Sequence, residues 1–260
     1  MKEDIKNVLV NNTLQNVAVH EYGITDSTNT RAKLFAKNRC VEEKTPAIFL
    51  SRAQSAGRGT RGRGFESPIG AGLYISYLIY PDCSVSAADI TTYAAVACCR
   101  ALEKIGAADG LKPRIKWVND IYVGARKLSG ILTEGELDES GKLKYAVVGI
   151  GINLRRGEHS HEVASIMTTL EDEGVRVSFE QLYEVLTEEF FSALAEAGTA
   201  EIMKEYRDLS MLIGRAVRIV TGGRQYDERV TDIDSDGALI TQDVHGNVKK
   251  YISGDVSVRL

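Results

Sequence analysis

The stretch QSAGRGTRGRGF, residues 54–65, lies between two apolar runs, residues 47–50 and 73–80, that have the composition of buried β-strands. Four glycines in this loop let the backbone come close to a ligand, and Arg58, Arg61 and Arg63 give it positive charge. No acidic residue follows them before Glu66. A loop of this composition between two strands predicts an anion site, with phosphate as the typical ligand.

The first three glycines of the loop also match G-x-G-x-x-G, the fingerprint of dinucleotide-binding folds. That fingerprint opens a helix, whereas Pro68, Gly70 and Gly72 lead here into a predicted strand, so a Rossmann fold is not expected. One alternative stays open. A flexible Gly/Arg loop that contacts RNA has the same composition, because phosphate groups and RNA backbones make similar demands on a protein.

Residues that cap helices predict four helices around this loop. Ser86 with Asp89, and Ser178 with Gln181, are pairs of the capping-box type, and Gly106 is a helix-ending residue. The sequence Asp-Ser-Thr-Asn at residues 26–29 supplies capping side chains for an earlier, shorter helix. The predicted helices run from residues 26–29 to about 38, from 86–89 to 106, from 178 to about 198 and from 199 to 209.

Strand-like runs separated by turn residues predict two sheets. Residues 115–117, 121–123, 128–133 and 143–152 are joined by tight turns, so the first sheet is expected to be largely antiparallel. After Gly214, five short runs follow one another without helical periodicity, which predicts a small all-β barrel. The fold class is therefore α+β, with a catalytic domain over residues 1–212 and a second domain over residues 213–260.

Composition narrows the class of protein. The chain has 260 residues, is 43% hydrophobic and carries a net charge of −4, so it can bury a core and is not built to hold nucleic acid over its whole surface. No stretch approaches the roughly 20 apolar residues of a membrane span, and the first residues have no apolar core of signal-peptide length. We therefore expect a cytoplasmic protein without a membrane partner.

Cysteine and histidine give no sign of a metal centre. His159 and His161 lie in a polar, charged stretch and are not expected to bind a metal. The cysteines contain no C-x-x-C pair, which is typical of reduced thiols that act as small apolar residues. They are Cys40, Cys83, Cys98 and Cys99.

Two further segments carry candidate site residues. Lys127 precedes an apolar strand, where its ammonium group could neutralise a carboxylate or a phosphate. A solvated lysine in a hairpin is the other interpretation, and spacing alone favours it. Gly149 and Gly151 interrupt a buried strand that ends at Asn153. Glycine in a strand marks the close approach of another group, here either a ligand or a neighbouring helix.

Together these segments resemble the signatures of the biotin–protein ligases, in order from about Asp26 to the C-terminus, which is nearly the whole chain. The matching motifs are D-S-T-N at 26–29, Gln54 with the G-R-G-x-x-x-R loop, K-W-x-N-D-I at 116–121, R-K-L-x-G-I-L at 126–132, G-I-G-I-N at 149–153 and the ending G-D-V-S-V-R at 254–259. The combination is highly specific for that family.

The resemblance implies a fold and an activity. The fold would be a catalytic domain related to class II aminoacyl-tRNA synthetases, followed by an SH3-like β-barrel. The activity would be activation of biotin by ATP to biotinyl-5′-AMP, then transfer to a specific lysine of a biotin carboxyl carrier protein or carboxylase biotin domain. The sequence is compatible with a homodimer but does not fix the oligomeric state.

By position, the resemblance also implies three overlapping sets of site residues. The biotin set comprises Ser27, Thr28, Asn29, Gln54, Gly57, Arg58, Gly59, Thr60, Lys127, Gly130, Gly149 and Gly151. The ATP set comprises Arg61, Arg63, Phe65, Asn119, Asp120, Lys127 and Asn153. The catalytic candidates are Lys127, Arg58 and Arg61, with Lys127 bridging the biotin carboxylate and the α-phosphate. Mg²⁺ would arrive with ATP, and Asp120 is its one candidate protein ligand.

The chain departs from the family's usual pattern at three positions. Thr60 stands where the loop normally has arginine, Phe65 where it normally has tryptophan, and Val118 where K-W-P-N-D has proline. About 20 residues precede the first motif, too few for the winged helix that some members use to bind DNA. Specific DNA binding is therefore not expected.

Two other functions compete with biotin ligation. A lipoate or octanoate ligase or transferase would have a related fold and would also modify a carrier lysine, although the Gly/Arg loop and K-W-x-N-D favour biotin. A non-catalytic biotin-binding or RNA-binding module is the alternative from a different class. Retention of Lys127, Asn119 and Asp120 argues against that alternative.

Overall fold

The fold was analysed in a computed structural model of the chain. The structure describes residues 2–10, 13–38, 44–81 and 85–258. The predictions for Cys40 and Cys83 lie outside these residues, as does Arg259 at the end of the last motif. Cys98 and Cys99 are free and buried, as expected for reduced apolar thiols, and burial raises the pKa of Cys98 to about 12.

The predicted helices form where the capping residues place them. Helix α1 is Thr28–Asn38, α2 is Ala87–Ile105, α3 is His161–Ile166, α4 is Phe179–Ala195 and α5 is Ala200–Leu209. Both capping boxes are present, one at Ser86 before α2 and one at Ser178 before α4, and Gly106 ends α2. These reciprocal hydrogen bonds satisfy backbone N–H groups that the first turn of a helix leaves without a partner.

An eight-stranded sheet is the centre of the molecule. Its strands are β1 Lys2–Val10, β2 Thr13–Tyr22, β3 Ala47–Ser51, β4 Gly72–Ile79, β5 Pro113–Lys116, β6 Asp120–Val123, β7 Arg126–Leu137 and β8 Leu143–Asn153. They lie in the order β1-β2-β3-β4-β8-β7-β6-β5. The pair β2–β3 is parallel and the other pairs are antiparallel, so the expected largely antiparallel sheet is confirmed.

A second, five-stranded antiparallel sheet follows, in the order β12-β11-β10-β9-β13. Its strands are β9 Ala216–Thr221, β10 Arg224–Ile233, β11 Leu239–Gln242, β12 Val248–Tyr251 and β13 Asp255–Val258. Gly222 and Gly223 both have positive φ, as the central residues of a type I′ turn require, and they connect β9 to β10 as a two-residue hairpin.

Helices cover both faces of the large sheet. On one face α2, α4 and α5 bury the main core, in which the Tyr77 ring of β4 stacks on Phe190 of α4 with 4.0 Å between centroids. On the other face α1 packs Ala32 against a smaller cluster that includes Phe49 and Val147. Helix α1 packs on β3, β4 and β8, and its first residues, Thr28 and Asn29, line a cavity beside the sheet.

The second sheet packs against the first part of the chain and contacts it at defined points. Its apolar residues Val217, Ile219 and Val256 belong to the main core. The indole N–H of Trp117 donates to the carbonyl of Gly237 at 2.8 Å. These contacts place the start of β13 opposite the Gly/Arg loop.

Two elements were not predicted from the sequence. The hairpin of β1 and β2 adds two strands at the edge of the large sheet, and α3 is a short helix that follows β8. Ser160 caps α3, since its hydroxyl accepts from the N–H of Val163. Strand β1 is rich in charged and polar residues, and an edge strand that pairs on one side does not need the apolar composition of a central one.

The second sheet contains a buried carboxylate that we expect to matter for stability. Glu228 is 1% exposed and accepts from Lys249 Nζ at 2.6 Å, Tyr251 Oη at 3.0 Å and the buried Thr241 hydroxyl. Glu228→Ala should lower the free energy of unfolding by about 1–3 kcal/mol, because it leaves the buried Thr241 hydroxyl without this partner, whereas Lys249 is partly exposed and also contacts Asp243. Urea unfolding of the purified variant measures the loss.

Asp255→Ala is the matched comparison in the same sheet. The side chain of Asp255 is half exposed, and so are those of its two arginine partners, so removing these ion pairs should change the unfolding free energy by less than about 1 kcal/mol. If both variants lost the same unfolding free energy, the buried contacts of Glu228 would not stabilise the sheet more than the exposed ion pairs of Asp255.

Candidate active site

A small cavity opens where α1, β7, β8 and the Gly/Arg loop meet. Its volume is about 50 Å³. Pockets that hold small ligands usually have about 300–1,000 Å³, so the loop must shift before a molecule of biotin's size can enter. Most members of the predicted biotin set line it, namely Ser27, Thr28, Asn29, Gln54, Arg58, Gly59, Thr60, Lys127, Gly130, Gly149 and Gly151.

Gln54 and the start of α1 hold the polar end of this cavity. Gln54 Oε1 accepts from the backbone N–H of Thr28 at 2.8 Å, and Gln54 Nε2 donates to the Ser67 hydroxyl at 3.0 Å. Ser76 from β4 donates to Asn29 Oδ1 at 2.6 Å and lies 2.7 Å from the Thr28 hydroxyl. Because Thr28, Asn29 and Ser76 are buried and these groups are mutually hydrogen-bonded, they form an ordered polar wall suited to a buried polar ligand group.

The two glycines of β8 are required by side chains from elsewhere in the chain. A Cβ at Gly149 would lie 2.1 Å from Asn29 Oδ1, and a Cβ at Gly151 would lie 2.5 Å from the Phe65 ring. The sequence left two interpretations of these glycines, a ligand or a neighbouring helix. The helix is the neighbour of Gly149, because Asn29 belongs to α1. Both glycines also line the cavity, so they make room for the site as well.

Phe65 lies on the floor of the small cavity rather than in the larger one beside it. Its ring packs over Gly151, approaches Gly130 and makes an edge contact with Tyr74 at 6.4 Å between centroids. The resemblance assigned Phe65 to ATP. In this structure its ring instead takes up space in the small cavity, whose other walls include residues that the resemblance assigned to biotin.

Lys127 lies where the small cavity meets the larger one, and it lines both. Its Nζ lies 2.6 Å from Asp120 Oδ1, and both side chains are 27% exposed. It is the second residue of β7, next to the turn of the β6–β7 hairpin, and its ammonium group is ion-paired rather than surrounded by water alone. The ion pair with Asp120 fixes the side chain of Lys127 at a defined point between the two cavities.

The larger cavity has a volume of about 480 Å³. It lies between the large sheet, the Gly/Arg loop and β13, and its walls include Arg61, Arg63, Asn119, Asp120 and Lys127. This volume and this concentration of positive charge suit a nucleotide.

Asp255 of β13 forms ion pairs with Arg61 and Arg63, the two arginines that the resemblance assigned to the phosphates of ATP. Its carboxylate contacts Arg61 Nη1 at 2.5 Å and Arg63 Nη2 at 2.8 Å. The loop itself contains no acidic residue, but the fold brings one from a position 192 residues away from Arg63. A phosphate entering the larger cavity would compete with Asp255 for both guanidinium groups.

Two predicted site residues, Gly57 and Asn153, line neither cavity. A Cβ at Gly57 would be 2.2 Å from the carbonyl oxygen of Phe65. Asn119 lines both cavities, and its side-chain amide donates to the carbonyl of Ile131. Asn153 lines neither; its Nδ2 donates to the carbonyls of Lys127 and Thr168, at 3.3 and 3.1 Å, and so braces the backbone that carries Lys127.

Glu134 of β7 is a site residue that the sequence did not identify. It contacts Asn29, Lys33 and Arg58. Burial alone would raise the pKa of Glu134, but hydrogen bonds from Lys33 and Asn29 lower it below its ordinary value, so the carboxylate stays charged. The alternation of side chains along a β-strand could have identified Glu134, because residues 130, 132 and 134 lie on the same face of β7 and Gly130 was already assigned to the site.

The carboxylates of the larger cavity suit a metal ion that arrives with phosphates. They are Asp120 and Asp255, and each is paired with a cation of the protein. Among the described residues, no group of three or more His, Cys, Asp or Glu could hold a metal ion. The donor set therefore fits Mg²⁺ brought by a nucleotide and completed by Asp120, and it does not fit a metal held by side chains alone.

Within the part of the chain that the structure describes, no helix combines the length and apolar character needed to cross a membrane.

Comparison with known proteins identifies the class that this fold and site define. Residues 22–153 match the model of the biotin/lipoate A/B protein ligase family, and residues 212–259 match the biotin protein ligase C terminal domain. The chain belongs to the biotin protein ligases within this family.

Individual relatives agree with this placement. The bifunctional ligase/repressor BirA of Escherichia coli is 32% identical over 242 residues, which cover 91% of this chain and 72% of that protein. The biotin–[acetyl-CoA-carboxylase] ligase of Paracoccus denitrificans is 32% identical and covers 83% of this chain and 90% of that one. The Aquifex aeolicus biotin protein ligase in complex with biotin and ATP has the same fold, with a TM-score of 0.76 at 22% identity over 93% of this chain and 98% of that one.

Proposed function

We propose that this protein is an ATP-dependent biotin–protein ligase that forms biotinyl-5′-AMP and transfers the biotinyl group to a lysine of a biotin carboxyl carrier domain. The observation that carries the proposal is the position of Lys127, which lines a small polar cavity and a larger, positively charged one at the point where they meet. A cation at such a junction stabilises charge on two ligands at once, as a reaction that joins them requires. Family membership and the names of the relatives favour biotin over lipoate or octanoate.

In the first half-reaction, a carboxylate oxygen of biotin attacks the α-phosphorus of ATP, and pyrophosphate leaves with the electrons of the broken P–O bond. Negative charge is concentrated on the reacting oxygens as the two anions approach. The ammonium group of Lys127 stabilises that charge, while Arg58 and Arg61 add positive charge from the loop. Asp120 holds Lys127 in position between the two substrates.

In the second half-reaction, the neutral amine of the carrier lysine attacks the carbonyl carbon of the mixed anhydride. An amide bond forms, the bond to AMP breaks, and the amine proton is released. Lys127 again lies beside the oxygens that gain charge, so the same residue serves both steps without a covalent enzyme intermediate.

Mg²⁺ would neutralise phosphate charge when it arrives with ATP, and Asp120 is the residue proposed to contact it. Asn119 and Arg63 would orient the nucleotide within the larger cavity, and Phe65 would move from the small cavity towards adenine when the ligands bind. Thr60 lines both cavities without a charge, so Arg61 is the neighbour that supplies charge at this point of the loop.

The proposal also covers the folds of the two domains, the location of the protein in the cell and the absence of specific DNA binding. We propose a class II aminoacyl-tRNA-synthetase-like catalytic domain over residues 1–212 and an SH3-like barrel over residues 213–260, which the five-stranded second sheet supports. The free thiols of Cys98 and Cys99 support a reducing, cytoplasmic location. The net charge of −4 supports the absence of specific DNA binding.

Exchange of labelled pyrophosphate into ATP tests the function. We expect exchange with biotin, and none with lipoate, octanoate or no acid, because adenylation is reversible and requires the correct carboxylate. Exchange with lipoate or octanoate would support the related ligases instead. If biotin binds without exchange, the protein is a binding module and the proposal is wrong.

A further inference from the structure

The carboxylate of Glu134 joins helix α1 to the Gly/Arg loop. Its Oε2 accepts from Asn29 Nδ2 at 3.0 Å, and its Oε1 accepts from Lys33 Nζ at 2.7 Å and from Arg58 Nη2 at 2.8 Å. The side chain of Glu134 is 20% exposed, so these contacts are partly shielded from water. One carboxylate thus connects two residues that line the small cavity, Asn29 and Arg58.

These contacts decide which end of the Asn29 amide is available to a ligand. Both hydrogens of its Nδ2 are engaged, one by Glu134 and one by the carbonyl of Leu132 at 3.3 Å. Its Oδ1 accepts one hydrogen bond, from Ser76, and an amide oxygen can accept two. Asn29 is buried, so the free lone pair must be satisfied by whatever fills the cavity.

The amide oxygen also has a defined place in the cavity wall. It lies against Gly149, where a Cβ would be only 2.1 Å away, and Gly149 lines the same cavity. If the amide were reversed, its N–H groups would face Ser76 and Gly149, and its oxygen would face the Glu134 carboxylate. Two acceptors would then oppose each other, so the charge of Glu134 fixes the observed orientation.

We propose that Glu134 is a specificity-determining positioning residue, which turns the Asn29 oxygen towards the ligand and thereby selects a ligand with an N–H donor. This inference rests on the proposed function, since the ureido ring of biotin supplies such a donor. The dithiolane of lipoate and the alkyl chain of octanoate have none, so either would leave a buried acceptor unpaired. A missing hydrogen bond of this kind corresponds to about a tenfold loss of affinity or more.

Glu134 also couples this selection to the loop. Because its Oε1 holds Arg58, the same carboxylate that orients Asn29 keeps the first arginine of the loop at the rim of the cavity. Loss of its charge should therefore weaken biotin binding and leave the ATP side, around Arg63 and Asp255, unchanged.

Glu134→Gln is the first test, since glutamine has the same shape but replaces one acceptor with a donor. The new NH₂ group must face either the Asn29 amide hydrogens or the cations Lys33 and Arg58. We expect KM for biotin in the pyrophosphate-exchange assay to rise at least tenfold, while KM for ATP stays within about threefold of that of the unmodified enzyme. The value of kcat should fall by a smaller factor than KM for biotin rises, because Glu134 also holds Arg58. Glu136→Gln, on the same strand but bound to Tyr145 and Lys144, is the control and should change none of these.

An exchange of the two groups provides a rescue that a purely structural role would not give. Asn29→Asp alone sets two carboxylates against each other and should also raise KM for biotin at least tenfold. The double variant Asn29→Asp/Glu134→Gln restores a donor facing an acceptor between the two side chains and again turns an oxygen towards the ligand, but it leaves the carbonyl of Leu132 without its donor. We expect a partial rescue, with KM for biotin several-fold lower than in either single variant.

The outcomes separate the inference from the proposed function. If the unmodified enzyme shows no biotin-dependent exchange, the proposed function fails. If that enzyme is active and Glu134→Gln leaves KM for biotin within threefold, or raises the KM of biotin and ATP equally, or is not rescued in the double variant, the inference about Glu134 is overturned.

Discussion

Lys127→Ala should lower kcat/KM for biotin adenylation by a factor on the order of 10² to 10³, the usual loss when one preorganised donor to a transition state is removed. The physical reason is its position at the junction of the two cavities, where its charge faces both reacting anions. The measurement is biotin-dependent pyrophosphate exchange. Folding should persist, because the side chain is partly exposed and makes one ion pair, with Asp120.

Two further variants make this result specific. Lys127→Arg should recover only part of the activity, because a planar guanidinium is larger and cannot place its charge at the same point. Lys144→Ala, which removes an exposed lysine paired with Glu136 outside both cavities, should retain full activity. The role of Lys127 would be contradicted by a folded alanine variant with near-normal exchange.

Local features of the fold were predictable because their physical cause lies within a few residues. The capping boxes at Ser86 and Ser178 are pairs three residues apart, and the Gly222–Gly223 turn lies within a single hairpin. Most of the small cavity could also be assigned, since the resemblance places whole motifs at once.

Contacts between distant segments could not be predicted in the same way. The residues around the Gly/Arg loop do not predict that Asp255 pairs with Arg61 and Arg63, because that contact depends on how the second sheet packs. Glu134 was missed for a different reason. Its strand parity points to the site, but a charged residue in the second half of a long strand is as typical of a solvated face.

The structure also changes the meaning of two assignments. Asn153, assigned to the nucleotide, braces the backbone of Lys127, so its effect on catalysis would pass through the position of that lysine. Phe65, assigned to adenine, lies over Gly151 in the small cavity. Its displacement would enlarge the small cavity.

Gly149→Ala should raise KM for biotin by a factor on the order of 10² or more. A Cβ at this position would lie 2.1 Å from Asn29 Oδ1 and 2.9 Å from its Cγ, so the amide must move. Asn29 is buried and held by Ser76, Leu132 and Glu134, and displacing it breaks at least two hydrogen bonds of about 1–1.5 kcal/mol each. Titration of biotin in the exchange assay measures the effect.

Two other strand glycines, Gly151 of β8 and Gly135 of β7, are controls. They test whether the rise in KM comes from the contact with Asn29 or from any added Cβ in these strands. At Gly151 the added Cβ meets the end of the Phe65 side chain, which can swing away, so Gly151→Ala should raise KM for biotin less than Gly149→Ala does. At Gly135 it meets a terminal methyl of Leu143, outside both cavities, so Gly135→Ala should leave KM for biotin unchanged.

A double variant provides a further test. In the background of Asn29→Ala, Gly149→Ala should raise KM for biotin hardly at all, because the side-chain atom that the new Cβ would collide with is gone. An equal, additive effect of Gly149→Ala with and without Asn29 would show that the strand itself, and not the amide beside it, sets the affinity for biotin.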